Sequence, residues 1–306
     1  MRTLIVGVTG QDGSLLAHHL LADGHEVHGT IRRGTSDNFW RLRDLGIRDK
    51  VLYHNYNIGN ELAFAEILQS VQPEEIYSLA GESFTALSFE EPKHFMNINI
   101  EAAVEQLEAI RLNSKTAKVF FASSSEIFGV SNPTVKLDEN SRTSPRTPYG
   151  VSKLTQNHLV RIYRERYSLA LFTGILFPHE SYYRSPEFVT RKIVRGLVKL
   201  SRGDLAPIHM GDLTMKRDWG SAKDFVKWMK LLLNPGDYVF GTGTNTSVED
   251  FLLKVAKHLE IELEKANEDS TDSISYIEKK SGKVWVHSNP RNFSANRFIY
   301  GAADAR

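Results

Sequence analysis

The stretch "TLIVGVTGQDGSLL", residues 3–16, sets three glycines between an apolar run and a segment of helical periodicity. Glycine allows a tight turn and lets backbone N–H groups approach a phosphate at the N-terminus of a helix. The pattern therefore predicts a turn that binds the pyrophosphate of a dinucleotide, whereas the alternative is a plain glycine-rich turn. The cofactor contacts predicted in this turn are Gly7, Gly10, Gln11, Asp12 and Gly13.

Outward from this turn, short apolar runs alternate with helical segments as far as Phe177. Such alternation is typical of parallel strands that are covered on both faces by helices. It predicts an α/β fold: a doubly wound parallel Rossmann sheet with a smaller C-terminal substrate domain. The predicted strands are 3–8, 26–31, 51–56, 75–80, 118–123 and 169–177, and the predicted helices between them are 14–24, 61–72, 99–113 and 148–167.

The pattern changes after Phe177, where turn formers and aromatic residues precede three further predicted helices. The polar stretch 264–273 is predicted to be a surface loop. The predicted dinucleotide-binding domain comprises 1–177 and part of 212–245, and the predicted substrate-binding domain comprises 178–211 and 246–306.

The composition narrows the class of protein. The chain has 306 residues, a net charge of +1 and no cysteine, which excludes disulfides, thiolate nucleophiles and zinc held by cysteine. A near-neutral charge gives no support to nucleic acid as a partner. We find neither a secretion signal nor an apolar run of about 18 residues. The sequence thus predicts a cytoplasmic protein with no membrane partner, and no metal site is predicted.

Two arginines follow the second predicted strand, where NAD-binding domains carry an acidic residue. Arg32 and Arg33 suit the 2′-phosphate of NADP, because guanidinium groups form paired, charge-assisted hydrogen bonds with phosphates. We therefore predict NADP as the cofactor; the alternative is two solvated surface arginines. Asn57 and Ile58, after the third strand, and Leu79, after the fourth, are further predicted cofactor contacts.

A polar cluster ends the fifth predicted strand in "VFFASSSEIFG", residues 119–129. Ligands of doubly wound sheets bind beyond the carboxyl ends of the strands. Tyr149 and Lys153 follow at an i, i+4 spacing, which places phenol and ammonium on one helical face. A nearby cation and the positive ring of the cofactor lower the pKa of a phenol, so Tyr149 is predicted to accept a proton from a sugar hydroxyl, with Ser124 as a hydrogen-bond donor. The alternative is a chance YxxxK match.

These residues resemble the extended short-chain dehydrogenase/reductase family, in its nucleotide-sugar branch. The stretches "IRRGTS", "SPRTPYGVSKL", "GILFPHES", "FVTRKI" and "RDWGSAKDFV" are similar to its GDP-sugar 4,6-dehydratases. The resemblance implies that Glu126 removes the C5 proton and helps the C6 hydroxyl to leave. Tyr149 and Lys153 would also contact NADP. The alternative reading of Glu126 is an exposed turn residue, and reductases of the family can carry a glutamate there too.

The resemblance also implies which residues meet the substrate. Cations are needed at its diphosphate, and His179 and Glu180 are expected to line the sugar site, with His179 also contacting the cofactor. The substrate residues so implied are Ser83, Glu180, Lys192, Arg217 and Arg291.

Three positions depart from the family's pattern. Glu82 stands where the family has glutamine, Pro178 where it has asparagine, and Ser294 where it has an acidic residue. These changes concern the sugar and the base rather than the redox residues.

The resulting expectation is an NADP-dependent lyase that dehydrates GDP-mannose or a related GDP-sugar to the 4-keto-6-deoxy sugar. The alternatives are a 4-reductase or epimerase of the same fold, or a non-catalytic NADP-binding protein. The resemblance further implies a homo-oligomer, dimer or tetramer, in which the loop "RRGTSDNFW" reaches a neighbouring subunit. Phe39 and Trp40 in that loop suit an interface, although packing within the chain explains them too.

Overall fold

The computed structural model describes residues 1–34, 37–131, 135–204, 206–231, 233–267, 273–289 and 301–304. The strands are β1 (Arg2–Val6), β2 (Glu26–Ile31), β3 (Leu52–Asn55), β4 (Glu75–Ser78), β5 (Lys118–Ala122), β6 (Lys136–Leu137), β7 (Leu171–Leu176), β8 (His179–Glu180), β9 (Ile208–Met210), β10 (Lys216–Asp218), β11 (Gly220–Ser221), β12 (Gly236–Phe240), β13 (Asn245–Ser247), β14 (Leu263–Asn267), β15 (Ile274–Glu278), β16 (Lys283–Ser288) and β17 (Ala302–Ala303). The α-helices are α1 (Gln11–Ala22), α2 (Trp40–Asp44), α3 (Glu61–Val71), α4 (Leu87–Glu90), α5 (Pro92–Met96), α6 (Ala102–Asn113), α7 (Pro148–Tyr167), α8 (Val189–Ser201), α9 (Ala222–Lys230) and α10 (Val248–His258).

Seven parallel strands form the central sheet, in the order β12-β7-β5-β4-β1-β2-β3. Side chains alternate between the two faces of a strand, so Ile5 packs in one core while Leu4 and Val6 pack in the other. Helices α1 and α9 cover the first face, and α3, α6 and α7 cover the second. The predicted doubly wound α/β fold is confirmed. The seventh strand, β12, was missed as a strand because its sequence, GDYVF, follows a turn-rich segment.

A second, four-stranded sheet has the order β14-β15-β16-β9 and packs with α8 and α10 around a core of its own. The prediction of a loop at 264–273 was wrong for 264–267, because β14 pairs with β15 in an antiparallel register. Residues 268–272 lie outside the described part of the chain. The boundaries of the two domains stay a prediction.

The first crossover explains how the fold fixes the glycine turn. Gly7 has φ of +92°, in the region that favours glycine, and a Cβ at Gly13 would lie 2.3 Å from the Gly7 carbonyl oxygen. The turn therefore packs directly against the first turn of α1. This arrangement places the N-terminus of α1 at the carboxyl edge of the central sheet, beside the ends of β4 and β5.

Candidate functional site

One cavity of about 500 Å³ lies between the carboxyl edge of the central sheet and the second sheet. Most residues that the sequence assigns to chemistry or substrate line it, although they come from separate parts of the chain. They are Asp12, Leu79, Ser83, Ser124, Glu126, Tyr149, Lys153, His179, Glu180, Lys192 and Arg217. Glu82 and Pro178, two of the departures from the family pattern, line it as well.

The polar cluster after β5 turns into this cavity through a short 3₁₀ helix, Ser125–Ile127. The Ser124 side chain caps that helix by accepting a hydrogen bond of 3.2 Å from the Glu126 backbone N–H. A Cβ at Gly150 would lie 2.7 Å from the Glu126 carbonyl oxygen, so only glycine lets α7 approach the turn this closely. Ser124, Glu126 and the first turn of α7 are thereby held together.

Tyr149 occupies that first turn, with Pro148 before it and Thr147 capping the helix. The phenol is buried against the Phe95 ring and forms a hydrogen bond with the Ser124 hydroxyl. Burial raises the pKa of Tyr149 to about 12, against the effect of the Ser124 hydrogen bond and in the same direction as the nearby Glu126 charge. Arg184, rather than Lys153, is the cation that lowers this pKa. The predicted joint effect of a nearby cation and the cofactor ring stays a prediction.

The position of the Lys153 ammonium gives the physical reason why Lys153 is not that cation. Its Nζ donates hydrogen bonds of 3.0 Å to the Ala122 carbonyl oxygen and 3.0 Å to Gln156 Oε1. Burial lowers the pKa of Lys153 to about 8. Lys153 thus lines the cavity as predicted, but its hydrogen bonds go to the end of β5 and to its own helix rather than to the phenol.

The glycine turn and the segment after β7 are joined by hydrogen bonds. Gln11 Nε2 donates to the His179 carbonyl oxygen at 3.1 Å, and Asp12 Oδ2 lies 2.9 Å from His179 Nε2. Burial opposes the ionisation of Asp12, but the charge and hydrogen bond of His179 outweigh it, so the pKa of Asp12 lies below 3.8. The same contact outweighs the effect of burial on His179 and raises its pKa above 6.5.

The glycine turn fits a dinucleotide. A Cβ at Gly7 would meet the Ala80 backbone at 3.0 Å, so the turn needs glycine there. A Cβ at Gly10 would meet only the Gly7 oxygen, at 3.4 Å, which leaves open space beside the N-terminus of α1. Gly10 caps α1 without a side-chain hydrogen bond, so the first N–H groups of α1 suit a pyrophosphate.

Eight predicted cofactor residues do not line this cavity. Four of them form the glycine turn, namely Gly7, Gly10, Gln11 and Gly13, and the other four follow β2 and β3. Arg32 and Arg33 are exposed directly after β2. Asn57 is exposed after β3, whereas Ile58 packs partly into the second-face core. All four nevertheless follow carboxyl ends of strands in the half of the sheet that receives the adenosine end of a dinucleotide in a doubly wound fold.

The predicted substrate cations flank the opposite end of the cavity. Lys192, on α8, is half-buried, and burial lowers its pKa. Arg217 lies on β10, where its Nη1 donates to the Lys216 carbonyl oxygen at 2.8 Å. Glu180 accepts a hydrogen bond of 2.6 Å from Thr190 Oγ1. Arg291 and Ser294 lie outside the described residues.

Sequence reasoning missed an aromatic and cationic wall of this cavity. The Arg184 guanidinium lies 3.5 Å from the Phe188 ring centroid, and the Phe84 ring meets Phe188 edge-on at 5.7 Å. Arg184 Nε is 3.6 Å from Glu180 Oε2, and its charge lowers the pKa of Tyr149. In the sequence, Arg184 and Phe188 are marked only by the turn-rich stretch after β7, and Phe84 only by its place after β4.

Phe39 and Trp40 have partners within the chain. Phe39 packs edge-on against Tyr53 at 5.1 Å, and Trp40 lies 5.8 Å from the Tyr183 ring. The alternative reading, packing within one subunit, therefore accounts for these contacts.

The described residues contain no group of three or more histidine, aspartate and glutamate side chains arranged to hold a metal ion. None of their helices combines the length and the apolar character needed to cross a bilayer.

Comparison with known proteins identifies the family. The sequence model described as GDP-mannose 4,6 dehydratase matches residues 4–306. GDP-mannose 4,6-dehydratase from Vibrio cholerae is 39% identical, with 95% of this chain and 83% of that protein covered. The human GDP-mannose 4,6 dehydratase is 37% identical, with 92% and 78% covered.

Solved structures share the fold at lower identity. A dTDP-glucose 4,6-dehydratase from Streptomyces venezuelae with NAD bound aligns at a TM-score of 0.79 and 20% identity, covering 100% of this chain and 88% of that one. UDP-glucose 4-epimerase from Thermus thermophilus, in complex with NAD, aligns at 0.77 and 21% identity, covering 96% and 92%. The sequence matches and the shared fold together establish that this chain belongs to the GDP-mannose 4,6-dehydratase family.

Proposed function

We propose that the protein dehydrates GDP-mannose or a related GDP-sugar to the 4-keto-6-deoxy sugar, which makes it a hydro-lyase. The observation that carries this proposal is the meeting of Ser124, Glu126, Tyr149 and Lys153 in one cavity of a chain from this family. Lys192 and Arg217, at the far end of that cavity, supply the charges that a nucleotide diphosphate needs.

Each side chain has one task in this proposal. Tyr149 accepts the proton of the C4 hydroxyl, while Ser124 hydrogen-bonds the same oxygen. Once C4 is a ketone, the C5 hydrogen is acidic. Glu126 removes that proton and delivers one to the C6 hydroxyl, which leaves as water. When C6 then takes the hydride, C5 regains a proton, and the proton that Tyr149 accepted from the C4 hydroxyl balances this step. Lys153 lies on the same helix as the phenol and is its proposed electrostatic partner, and the charge of Arg184 lowers the pKa of the phenol.

The nicotinamide cofactor would be held by the glycine turn, with its pyrophosphate at the N-terminus of α1. When bound, it would accept the hydride that leaves C4 and return it to C6, so that it ends in its starting oxidation state. Asp12 and His179 face the same cavity and are tied to each other, so they position that wall for the cofactor. The solved relatives contain NAD, and a pyridine nucleotide follows from their shared fold.

We propose NADP rather than NAD, because Arg32 and Arg33 are exposed after β2 and available to a 2′-phosphate. Arg32→Ala and Arg33→Ala should each weaken NADP binding about 10- to 100-fold, since each removes charge-assisted hydrogen bonds. NAD binding should change less than about threefold, as NAD lacks that phosphate. Calorimetric titration of both cofactors measures this difference. Arg166→Ala, an exposed arginine on α7, is the control. Equal losses for NAD and NADP would contradict the proposal.

Turnover of GDP-mannose tests the proposed function directly. Purified protein with NADP should release a keto sugar that is lighter by one water, with no net change in NADPH absorbance. Mass spectrometry and absorbance near the NADPH band follow the two quantities together. Absence of turnover with GDP-mannose and with other GDP-sugars would exclude the substrate class.

A reductase or epimerase of the same fold is the second candidate, and the likeness to a UDP-glucose 4-epimerase favours keeping it. It predicts either stoichiometric oxidation of NADPH or a product of unchanged mass. Either result in the same assay would replace the dehydratase. Glu82 and Pro178 line the cavity, and we propose that they affect which sugar the protein accepts.

We further propose that the protein acts as a cytoplasmic homo-oligomer on small nucleotide sugars, with 1–177 and part of 212–245 as the dinucleotide-binding domain. The lack of cysteine supports the compartment. Exposed apolar side chains on the adjacent helices α6 and α7 support self-association; they are Val104, Leu112, Val151 and Ile162. The separate core around the second sheet supports the domain division.

A further inference from the structure

The Lys153 ammonium is enclosed by a closed set of hydrogen bonds. Besides the two bonds that Nζ donates to Ala122 and Gln156, Gln156 Nε2 donates to the same Ala122 carbonyl oxygen at 3.2 Å. Lys153 and Gln156 are 6% and 4% exposed, so water competes little with these bonds. The three groups form a triangle at the carboxyl end of β5, directly before Ser123 and Ser124.

The triangle fixes the Gln156 amide. Its oxygen points to the ammonium and its nitrogen to the Ala122 oxygen, so turning the amide over would break both contacts. The i, i+3 spacing on α7 places Gln156 one turn beyond Lys153 on the same face. Gln156 does not line the cavity, whereas Lys153 does. Gln156 is therefore arranged to act on the site through Lys153.

We propose that Gln156 is a positioning residue that keeps the Lys153 ammonium charged and aimed from the end of β5 into the active-site cavity. The proposal rests on the proposed function for the role of Lys153 in turnover. A buried ammonium with one strong acceptor pays more for its desolvation than one with two. Gln156 supplies the second acceptor without a countercharge, so Lys153 stays available to the ligands.

Burial acts on Lys153 without a resolved contribution from any charged side chain. Several ionisable groups share its cavity, and any of them can respond to its charge. Besides Tyr149 on the same helix, they are Asp12, Glu82, Glu126, His179, Glu180, Arg184, Glu187, Lys192, Asp212 and Arg217. A substitution at Gln156 leaves these other groups unchanged. Its effect on the pH dependence of stability therefore reports on Lys153.

The test uses ligand-free protein and urea unfolding between about pH 7 and about pH 10. The lowered pKa of Lys153 means that the unfolded chain holds the proton to higher pH, so the destabilisation caused by burying this charge is relieved as pH rises past about 8. Gln156→Met removes the acceptor, and its deficit in urea midpoint should shrink with rising pH as Lys153 becomes neutral. Gln156→Glu adds a countercharge, and its midpoint relative to wild type should fall with rising pH. Across this pH range, the urea midpoint relative to wild type should rise by roughly 0.3 M in Gln156→Met and fall by roughly 0.3 M in Gln156→Glu.

A merely structural role predicts offsets that do not change with pH, and that result would overturn the proposal. Gln69→Glu, an exposed glutamine on α3, controls for the new carboxylate. Gln156→Glu keeps the size of the side chain, so it decides the matter should Gln156→Met fail to fold. In turnover, the alkaline limb of kcat/KM should move down by about one pH unit in Gln156→Met and up in Gln156→Glu. Absence of turnover in the wild type would contradict the proposed function. The unfolding measurements do not depend on turnover, so they would still test the role of Gln156.

Discussion

Tyr149→Phe is expected to lower kcat with GDP-mannose about 1,000-fold, within the range by which one positioned proton acceptor accelerates a reaction. The substitution removes only the hydroxyl that bonds to Ser124 and leaves the ring against Phe95. The substrate dissociation constant should therefore change less than about threefold. Product formation followed by chromatography and substrate binding followed by calorimetry measure the two effects separately.

Tyr167→Phe provides the matched control. Tyr167 ends the same helix, is 44% exposed and does not line the cavity, so turnover should stay at the wild-type level. Tyr149→Phe protein that binds cofactor but retains more than about a tenth of wild-type turnover would contradict the assigned role. A different outcome is a wild type that binds cofactor but has no turnover, with Tyr149→Phe the same. That outcome would favour the reading of the chain as a non-catalytic cofactor-binding protein.

Glu126→Gln is the second large effect. The amide keeps the size of the side chain but cannot take the C5 proton, so release of the dehydrated product should fall about 1,000-fold. In heavy water, the wild type should place solvent deuterium in the product, and the variant should lose exchange at C5 to the same extent. Proton and deuterium NMR of the sugar measures both quantities.

A carboxylate on α7, outside the cavity, controls for the loss of charge. Glu165 is exposed, and Glu165→Gln should leave turnover and exchange unchanged. Wild-type exchange at C5 in Glu126→Gln would assign the base to another group. Glu82 and Glu180 line the same cavity and are the candidates for it.

The sequence alone could predict features that depend on neighbours along the chain. Glycine spacing indicated the turn before α1, and alternating apolar runs indicated six of the seven central strands. The i, i+4 spacing placed Tyr149 and Lys153 on one face of α7, and the tertiary structure places both in the cavity. Ser247 and Asp250 form a capping box at the start of α10, which is a local pattern of the same kind.

Contacts between segments that are distant in sequence could not be predicted from local patterns. The Ala122 oxygen that receives the Lys153 ammonium is 31 residues away in sequence, and Asp12 and His179 are 167 residues apart. Arg184 approaches Tyr149 because β7 lies next to β5 and ends at the same edge of the sheet. Burial of the phenol, which raises the pKa of Tyr149, likewise depends on segments that are distant in sequence.

The sequence by itself determined the fold class, the glycine turn and the choice of side chains that are candidates for the chemistry, because backbone preference and hydrophobic period act over a few residues. Only the tertiary structure decided which acceptor holds each charge and how far each group is removed from water. Those two properties depend on every segment that closes over the cavity, and no local pattern encodes them.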